Sequence, residues 1–515
     1  MWRASLPDLA AARYDVLVIG GGIYGAMAAR EAALRGLRTA LVERDDFGGG
    51  TSHNSLKTIH GGIRYVQHLD FARLRASARE RTFWLRAAPD LVRPLEFAIP
   101  LVGHGLRGPG AFAAVAALYG LGSAGTKGRG WPGARVVGRR RAAALLGDLA
   151  PGGLTGAGLW CDGQVSDTNR LLLATLRAAT ASGADIANYV EAETLIGARG
   201  RVVGARLRDR IDGGQAEIRA RVTLCCAGPA TGALAGALLG DAARARFPRF
   251  ARAMNLVLDR PAGARALGVI SRAQADAVLD RGGRMYFLVP WQGRMMIGTH
   301  EAPHRDDAPG DAPGDDRADS AAFLAAIDAV CPELALGPGD VLHVHRGLIP
   351  ADADDARSAV QRQTRGTLID HRHADGTAGL ISCVGVKYTT ARLVAERMLG
   401  LAQSQLGADR AGPVGIPARE GAWRSFATPL PVTPCDPVDP ADPGALAARI
   451  RAAMREEMAM SLDDVLWRRC LLGETGALRG AGGDALWRRA ERIAAPLGLP
   501  NRILPPVETA GARRV

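Results

Sequence analysis

Residues 14–25 read YDVLVIGGGIYG, a β-branched apolar run that stops at Gly20-x-Gly22-x-x-Gly25. An alanine-rich stretch, 26–35, comes next, then Gly36, then a second apolar run, 39–42, that ends on Glu43. Strand, glycine turn, helix, strand and acid in that order begin a βαβ unit that binds a dinucleotide. Each glycine has its own reason. Gly20 permits the tight turn, Gly22 lets the backbone approach a diphosphate, and Gly25 lets helix and strand meet closely. The unpaired N–H groups and positive dipole end at the helix start suit phosphate. Glu43 is spaced to accept from a ribose hydroxyl, and Arg44 follows it directly. With no evident anchor for a 2′-phosphate, the unit points to NAD or FAD and away from NADP.

The next segment separates the two. Residues 45–62, DDFGGGTSHNSLKTIHGG, stand where a nicotinamide domain would have a helix and a third strand. Small polar residues (Thr51, Ser52, Asn54, Ser55) surround Lys57 and His60, and a Gly61-Gly62 turn leads to Arg64 and Tyr65. Such a stretch can run extended beside a flavin and offer hydroxyl and amide contacts to its diphosphate and ring. The reading is therefore FAD.

Composition removes other classes. No run of about 18 or more uncharged apolar residues exists, so a spanning helix is not expected; residues 110–125 come nearest and are short and glycine-rich. The opening segment runs straight into the glycine turn and reads as a buried strand, not a signal peptide. Seven scattered cysteines argue for a reducing compartment over a disulfide scaffold. The expected location is cytoplasmic, with peripheral attachment to the inner membrane face as the variant. The net charge of +13 is carried mostly by dispersed arginine, and aromatics are only 5%. Nucleic acid would want a clustered basic face with aromatics between. A solvated arginine surface is the expectation, with anionic lipid headgroups second and no nucleic-acid partner.

The motif 51–65, TSHNSLKTIHGGIRY, resembles the FAD-dependent glycerol-3-phosphate dehydrogenases and related oxidases of the D-amino-acid-oxidase-like superfamily. Further similarities follow in chain order: 86–100, then Cys226-Ala227-Gly228-Pro229, then Phe287 to Trp291 with Ile297-Gly298-Thr299, then Thr364-Arg365, then Gly385-Val386-Lys387-Tyr388-Thr389-Thr390, then SLDDVLWRR at 461–469. The resemblance implies an α/β fold: a Rossmann-type FAD-binding domain, an inserted α+β substrate domain and a C-terminal all-α domain. The FAD domain is expected to be discontinuous, from 1–95, 156–245 and 360–403. The substrate domain would comprise 96–155 and 246–359, and 404–515 a linker and helical region. Residues 302–320 read as an acidic surface loop and 418–443 as a Pro/Asp-rich linker.

An enzyme of this kind needs a base, anion anchors and positive charge near the flavin. His60 is the base or flavin contact, because imidazole titrates near neutrality; its alternative role is a structural histidine bonding the turn. Arg64 and Arg365 are anion anchors, since a guanidinium fork matches phosphate or carboxylate. Lys387 matches the family's active-site lysine, and His60, Arg64 and Lys387 form the catalytic set, with Tyr65 and Arg346 beside the substrate. Cofactor contacts are expected from Gly20, Gly22, Gly25, Glu43, Arg44, Thr51, Ser52, Lys57, His60, Gly62, Val190, Ala227, Gly228, Gly385, Lys387, Tyr388 and Thr389. His343 and His345 alternate as on a strand and read as one exposed face, His371 and His373 likewise, and no metal-ligand spacing stands out.

Two departures alter the substrate half. Ile349 stands where the family has a phosphate-binding arginine, with Arg346 three positions earlier, and Asn255 stands where it has an active-site histidine. Losing one charged bidentate contact costs about 1.5–3 kcal/mol, more than tenfold in affinity. The leading reading is oxidation of sn-glycerol-3-phosphate to dihydroxyacetone phosphate, with electrons passed to a quinone at the membrane. A different hydroxy acid or amine donor is the second reading, and a non-catalytic flavin-binding protein the third. A homodimer is the assembly to test.

Overall fold

The computed structural model describes residues 3–126, 131–270, 285–304, 316–351, 366–385, 387–407, 428–432 and 438–503. Most of the loop 302–320, most of the linker 418–443, and Thr364, Arg365 and Val386 lie outside the described residues.

Two large sheets organise the chain. The first has eight strands, and its main path runs Thr367–Asp370, Leu380–Val384, Gln215–Cys225, Arg13–Ile19, Thr39–Val42 and Asp185–Ala187. The central strands are parallel, and Ile19 lies level with both Val42 and Cys225. Three strands thus end together at the edge where a doubly wound sheet binds its ligand. An antiparallel ribbon, Val190–Ala198 with Arg201–Asp209, extends from Gln215–Cys225.

Helix Ile23–Leu34 is buried nearly all round, so it carries no amphipathic stripe. Ala26, Ala28, Ala29 and Ala32 are wholly inaccessible. Their small side chains let the helix sit tightly between the sheet and helices Thr168–Ala181 and Ala391–Leu406, in a core with Met27, Leu171 and Met398.

The second sheet has nine strands, in the order Val341–Ala351, Arg249–Leu258, Arg294–Pro303, Met285–Trp291, Ala266–Ile270, Val92–Val102, Leu154–Val165 and Thr58–Ile59, with Arg135–Gly138 also on Leu154–Val165. Phe97 stacks on Trp160 at 5.3 Å and meets Phe287 edge-on, which anchors its core. Strand Leu154–Val165 therefore runs with Val92–Val102, although most of it falls in a segment expected beside the cofactor.

Helices Pro443–Glu456, Leu462–Arg468 and Gly480–Ala494 form a third unit with its own core of Leu446, Ile450, Val465 and Leu486. Ser461 and Asp464 cap the middle helix reciprocally. Charge ties this unit to the first sheet. Arg469 forks onto Asp46 through two bonds of 2.8 Å, and Arg468 Nε reaches the same carboxylate at 2.6 Å. Arg170 on helix Thr168–Ala181 reaches Glu457 at 3.0 Å and the Arg469 carbonyl at 2.8 Å.

The expectation of a solvated arginine surface is corrected for a substantial subset. Arg30, Arg35, Arg392 and Arg469 are fully buried. Each faces a carboxylate: Glu31 for the first two, Glu80 and Glu396 for Arg392, and Asp46 for Arg469. Burying a guanidinium is costly unless a carboxylate pairs with it. Scattered arginines in sequence concealed that pairing.

The six described cysteines are free thiols. Among the described residues no helix is long and apolar enough to cross a membrane.

Candidate active site

The nucleotide end forms where the parallel strands stop. Gly20 has φ +105°, and a Cβ there would meet the Cys226 carbonyl oxygen at 2.5 Å. A Cβ on Gly25 would stand 1.9 Å from the Gly20 carbonyl oxygen, so helix and turn touch only because residue 25 is glycine. Gly22 begins helix Ile23–Leu34 with no side-chain cap of its own. The Ile23 N–H donates instead to Ser52 Oγ at 2.9 Å, which brings the flavin-side segment to the helix end.

Glu43 Oε2 accepts from Gly21 N–H at 2.6 Å and Oε1 from Asp45 N–H at 2.9 Å. Burial pushes this carboxyl up, against the pull of those two N–H groups. Each oxygen keeps a lone pair, so the side chain braces the turn and can still take a ribose hydroxyl. Val190 N–H donates to the Glu43 carbonyl at 2.8 Å. Arg44 points outward and pairs with Asp45. Ala227 and Gly228 begin the turn after Gln215–Cys225, with Gly228 at φ +57°. A helix start whose own N-cap is a glycine, a cradle that a Cβ would fill and an acid at the next strand end together fit the diphosphate and ribose of FAD.

A second cluster is built around Asp162, near the end of strand Leu154–Val165. Its Oδ1 accepts from Gly61 N–H at 2.5 Å, and its Oδ2 accepts from Trp160 Nε1 at 3.0 Å and faces His60 Nδ1 at 3.7 Å. Arg81 closes the group at 3.3 Å. Burial alone would raise the Asp162 carboxyl; contact with His60 and the Arg81 cation overcome it and hold the carboxyl below its ordinary range. His60 itself is half exposed.

Gly62, at φ +86°, turns the chain into the short helix Ile63–His68, which carries Arg64 and Tyr65. Tyr65 is buried under three cations: Lys387 Nζ lies 4.4 Å from its ring centre, Arg73 Cζ 5.1 Å and Arg64 Cζ 5.5 Å. The negative ring face holds this like-charged group together. Burial, then the Arg64 cation, bring the Lys387 ammonium down to about 7. Arg64 is exposed, with Glu301 and Arg73 as its charged neighbours.

The backbone of Lys387 is gripped from the dinucleotide helix. Tyr24 Oη donates to the Lys387 carbonyl at 2.7 Å and accepts from the Lys387 N–H at 3.0 Å. A Cβ on Gly385 would run into the Tyr24 ring. His60 N–H donates to Thr389 Oγ1 at 3.1 Å, and Trp84 Nε1 to the Thr389 carbonyl at 3.0 Å. Tyr388 Oη donates to the Thr168 carbonyl at 3.2 Å. His60, Arg64, Tyr65, Lys387 and Thr389, remote in sequence, thus share one end of the molecule.

Other expected site residues go elsewhere. Lys57 turns into the interior, where Nζ meets His53 O, Thr168 Oγ1 and Glu474. Thr51 Oγ1 donates to Leu348 O. Arg346 and Ile349 lie on strand Val341–Ala351, opposite Met254 and Ala251. Asn255 is buried and its Oδ1 accepts from Thr299 Oγ1 at 2.8 Å.

Sequence reasoning passed over Asp162, Tyr24 and Trp84; an Asp-Gly-Gln ending a strand and a tyrosine inside the glycine motif were the available signals. The reading of His343 and His345 as an exposed face is also corrected. His345 is wholly buried and faces Glu474 at 3.0 Å, because helical residues of the C-terminal unit cover that face of the strand.

A family model described as FAD dependent oxidoreductase matches residues 15–397. A glycerol-3-phosphate dehydrogenase of Synechocystis sp. is 32% identical over 405 residues, which is 77% of this chain and 71% of that protein. The mitochondrial glycerol-3-phosphate dehydrogenase of Homo sapiens is 32% identical over 407 residues, 76% of this chain but 52% of that longer protein. Among solved structures, the glycerol-3-phosphate dehydrogenase from Bacillus halodurans complexed with FAD superposes with a TM-score of 0.66 at 23% identity, over 96% of this chain and 92% of that one. That likeness extends the shared fold through the C-terminal helices.

Proposed function

The chain belongs to the FAD dependent oxidoreductase family, and from that premise we propose that it oxidises the secondary alcohol of a small anion, sn-glycerol-3-phosphate, to dihydroxyacetone phosphate. The observation that carries the substrate class is the pair of cations, Arg64 and Lys387, over the face of Tyr65. We also propose that the first sheet is the core of the FAD-binding domain, the second that of the substrate domain, and the C-terminal helices a cap.

Bound FAD would supply the two-electron oxidation of the substrate carbon. In this reading the Arg64 guanidinium takes two phosphate oxygens. The Lys387 ammonium donates to the oxygen that becomes the carbonyl. His60 takes the hydroxyl proton, its Nδ1 edge turned toward Asp162 and Nε2 left for the substrate. Tyr65, itself buried, backs the two cations on one side, while Arg64 stays exposed and open to an anion on the other.

Ile349 and Asn255 support a second reading, in which the donor is another hydroxy acid or an amine. Asn255 carries no titrating group and its amide oxygen is engaged by Thr299. One experiment separates the readings. Anaerobic addition of glycerol-3-phosphate is expected to bleach the flavin absorbance, and a ubiquinone analogue to restore it. Bleaching by a hydroxy acid or amine, but not by glycerol-3-phosphate, moves the donor to the second class. Failure of the quinone alone refutes only the acceptor.

Lys387 gives a pH prediction. With its ammonium near 7, the cationic form dominates below that pH and is lost above it. The kcat/KM for an anionic donor is therefore expected to fall as pH rises through about 7. Lys387→Arg keeps its charge across this range and should remove that limb. Persistence of the limb in the variant would assign the titration to another group.

A further inference from the structure

Three side chains from remote parts of the sequence converge in the interior: His53 from the segment before Lys57, His345 from strand Val341–Ala351, and Glu474 from the turn after helix Leu462–Arg468. Glu474 and His345 are wholly buried and His53 nearly so. His53 Nε2 lies 3.2 Å from Glu474 Oε1, and His345 Nε2 lies 3.0 Å from Glu474 Oε2. One ligand atom from each, taken together, all fall within 4.8 Å of one another. Ligands about 2.0–2.1 Å from a tetrahedral ion stand roughly 3.3 Å apart, close to these separations.

The proton count at His345 is informative. Asn54 Nδ2 donates to the Gly50 carbonyl at 3.1 Å, which turns Asn54 Oδ1 toward His345 Nδ1 at 3.3 Å. An amide oxygen only accepts, so Nδ1 carries the hydrogen of a neutral ring and Nε2 presents a lone pair to the carboxylate. Two acceptors then face each other at 3.0 Å. Among the described residues no aligned hydrogen bond reaches His345 Nε2 or Glu474 Oε1, and Glu474 Oε2 has only the Lys57 ammonium, 3.0 Å away. A proton between them would make a buried imidazolium.

Lys57 does not fill the gap. Its three hydrogens face His53 O at 2.8 Å, Thr168 Oγ1 at 3.0 Å and Glu474 Oε2 at 3.0 Å. It steadies one carboxylate oxygen from the side, as a partner beyond the ligands does in many metal sites.

We propose that His53, His345 and Glu474 bind a divalent late first-row transition ion, Zn(II) or a close neighbour, that fastens the C-terminal helices to the flavin-side segment. Two imidazoles and one carboxylate suit such ions better than Mg(II) or Ca(II). Burial makes the role structural.

The flavin-loaded protein is incubated with Zn(II), freed of excess by gel filtration, and its metal measured by mass spectrometry. About one ion per chain is expected, with a higher melting temperature that a chelator reverses. Co(II) loading of the unmodified protein should give the visible bands of a low-coordinate ion. Glu474→Gln and His345→Gln should bring the metal to background. His53→Ser, at the rim, should do so with flavin content intact, which covers the case in which the deeper variants fail to fold. Background metal in the unmodified chain after loading, absence of the Co(II) bands, or full metal in His53→Ser would overturn the assignment.

Discussion

Replacing Arg469 by alanine is expected to lower the stability of the folded chain by about 3–5 kcal/mol, the cost of stranding a buried carboxylate. Asp46 is almost inaccessible and is met by the two Arg469 bonds and by Arg468. Burial works to raise its carboxyl, and the two guanidiniums overcome this and hold it at about 2. Without Arg469, the charge would remain with Arg468 and the Asn188 amide alone, and the carbonyl of Glu457, which accepts from Arg469 at 3.0 and 3.1 Å, would lose both donors. The effect should concentrate where the C-terminal unit meets the first sheet. Thermal unfolding should show an earlier transition, and limited proteolysis should cut ahead of helix Pro443–Glu456. Arg469→Lys keeps the charge but not the fork and should fall between. An unchanged melting curve and digestion pattern in Arg469→Ala would show that this clamp contributes little.

The second large effect is expected at Gly25. A Cβ there meets the Gly20 carbonyl oxygen at 1.9 Å, and both partners are backbone. The helix start must move away from the turn, and the N–H groups that suit the diphosphate move with it. Overpacking costs about 1–3 kcal/mol at an ordinary core position, so Gly25→Val should weaken FAD binding by roughly ten- to hundredfold or more. The ratio of flavin to protein absorbance after gel filtration measures this. Gly22→Ala is the contrast. Its Cβ would stand 3.1 Å from Ser52 Oγ, a hydroxyl that can rotate aside, so more flavin should survive. Equal retention of FAD by Gly25→Val and the unmodified protein would remove the steric argument.

Much of the nucleotide end was legible because its logic is local. Gly20, Gly22, Gly25 and Glu43 lie within 24 residues of one another and share a backbone geometry set by their spacing. His60, Arg64, Tyr65 and Lys387 were legible as a motif match, and the fold brings them into one cluster. Lys57 was not, because its partners at 168 and 474 lie on other elements. Alternation along a strand separates its two faces but does not say which one a later segment will cover, and His345 was misjudged for that reason. Asp162 works through neighbours at 60, 61 and 81, so only the folded turn reveals its role. The arginines of 461–469 were visible as a signature, whereas their latching to Asp46 spans more than 400 residues.

The Tyr24 hydroxyl grips Lys387 through the main-chain atoms of residue 387 alone. In the proposed reading, the headgroup presented to the donor is thus decoupled from the anchor that positions it. Residue 387 can exchange its side chain without losing that anchor, so the same flavin scaffold can try new donors one substitution at a time.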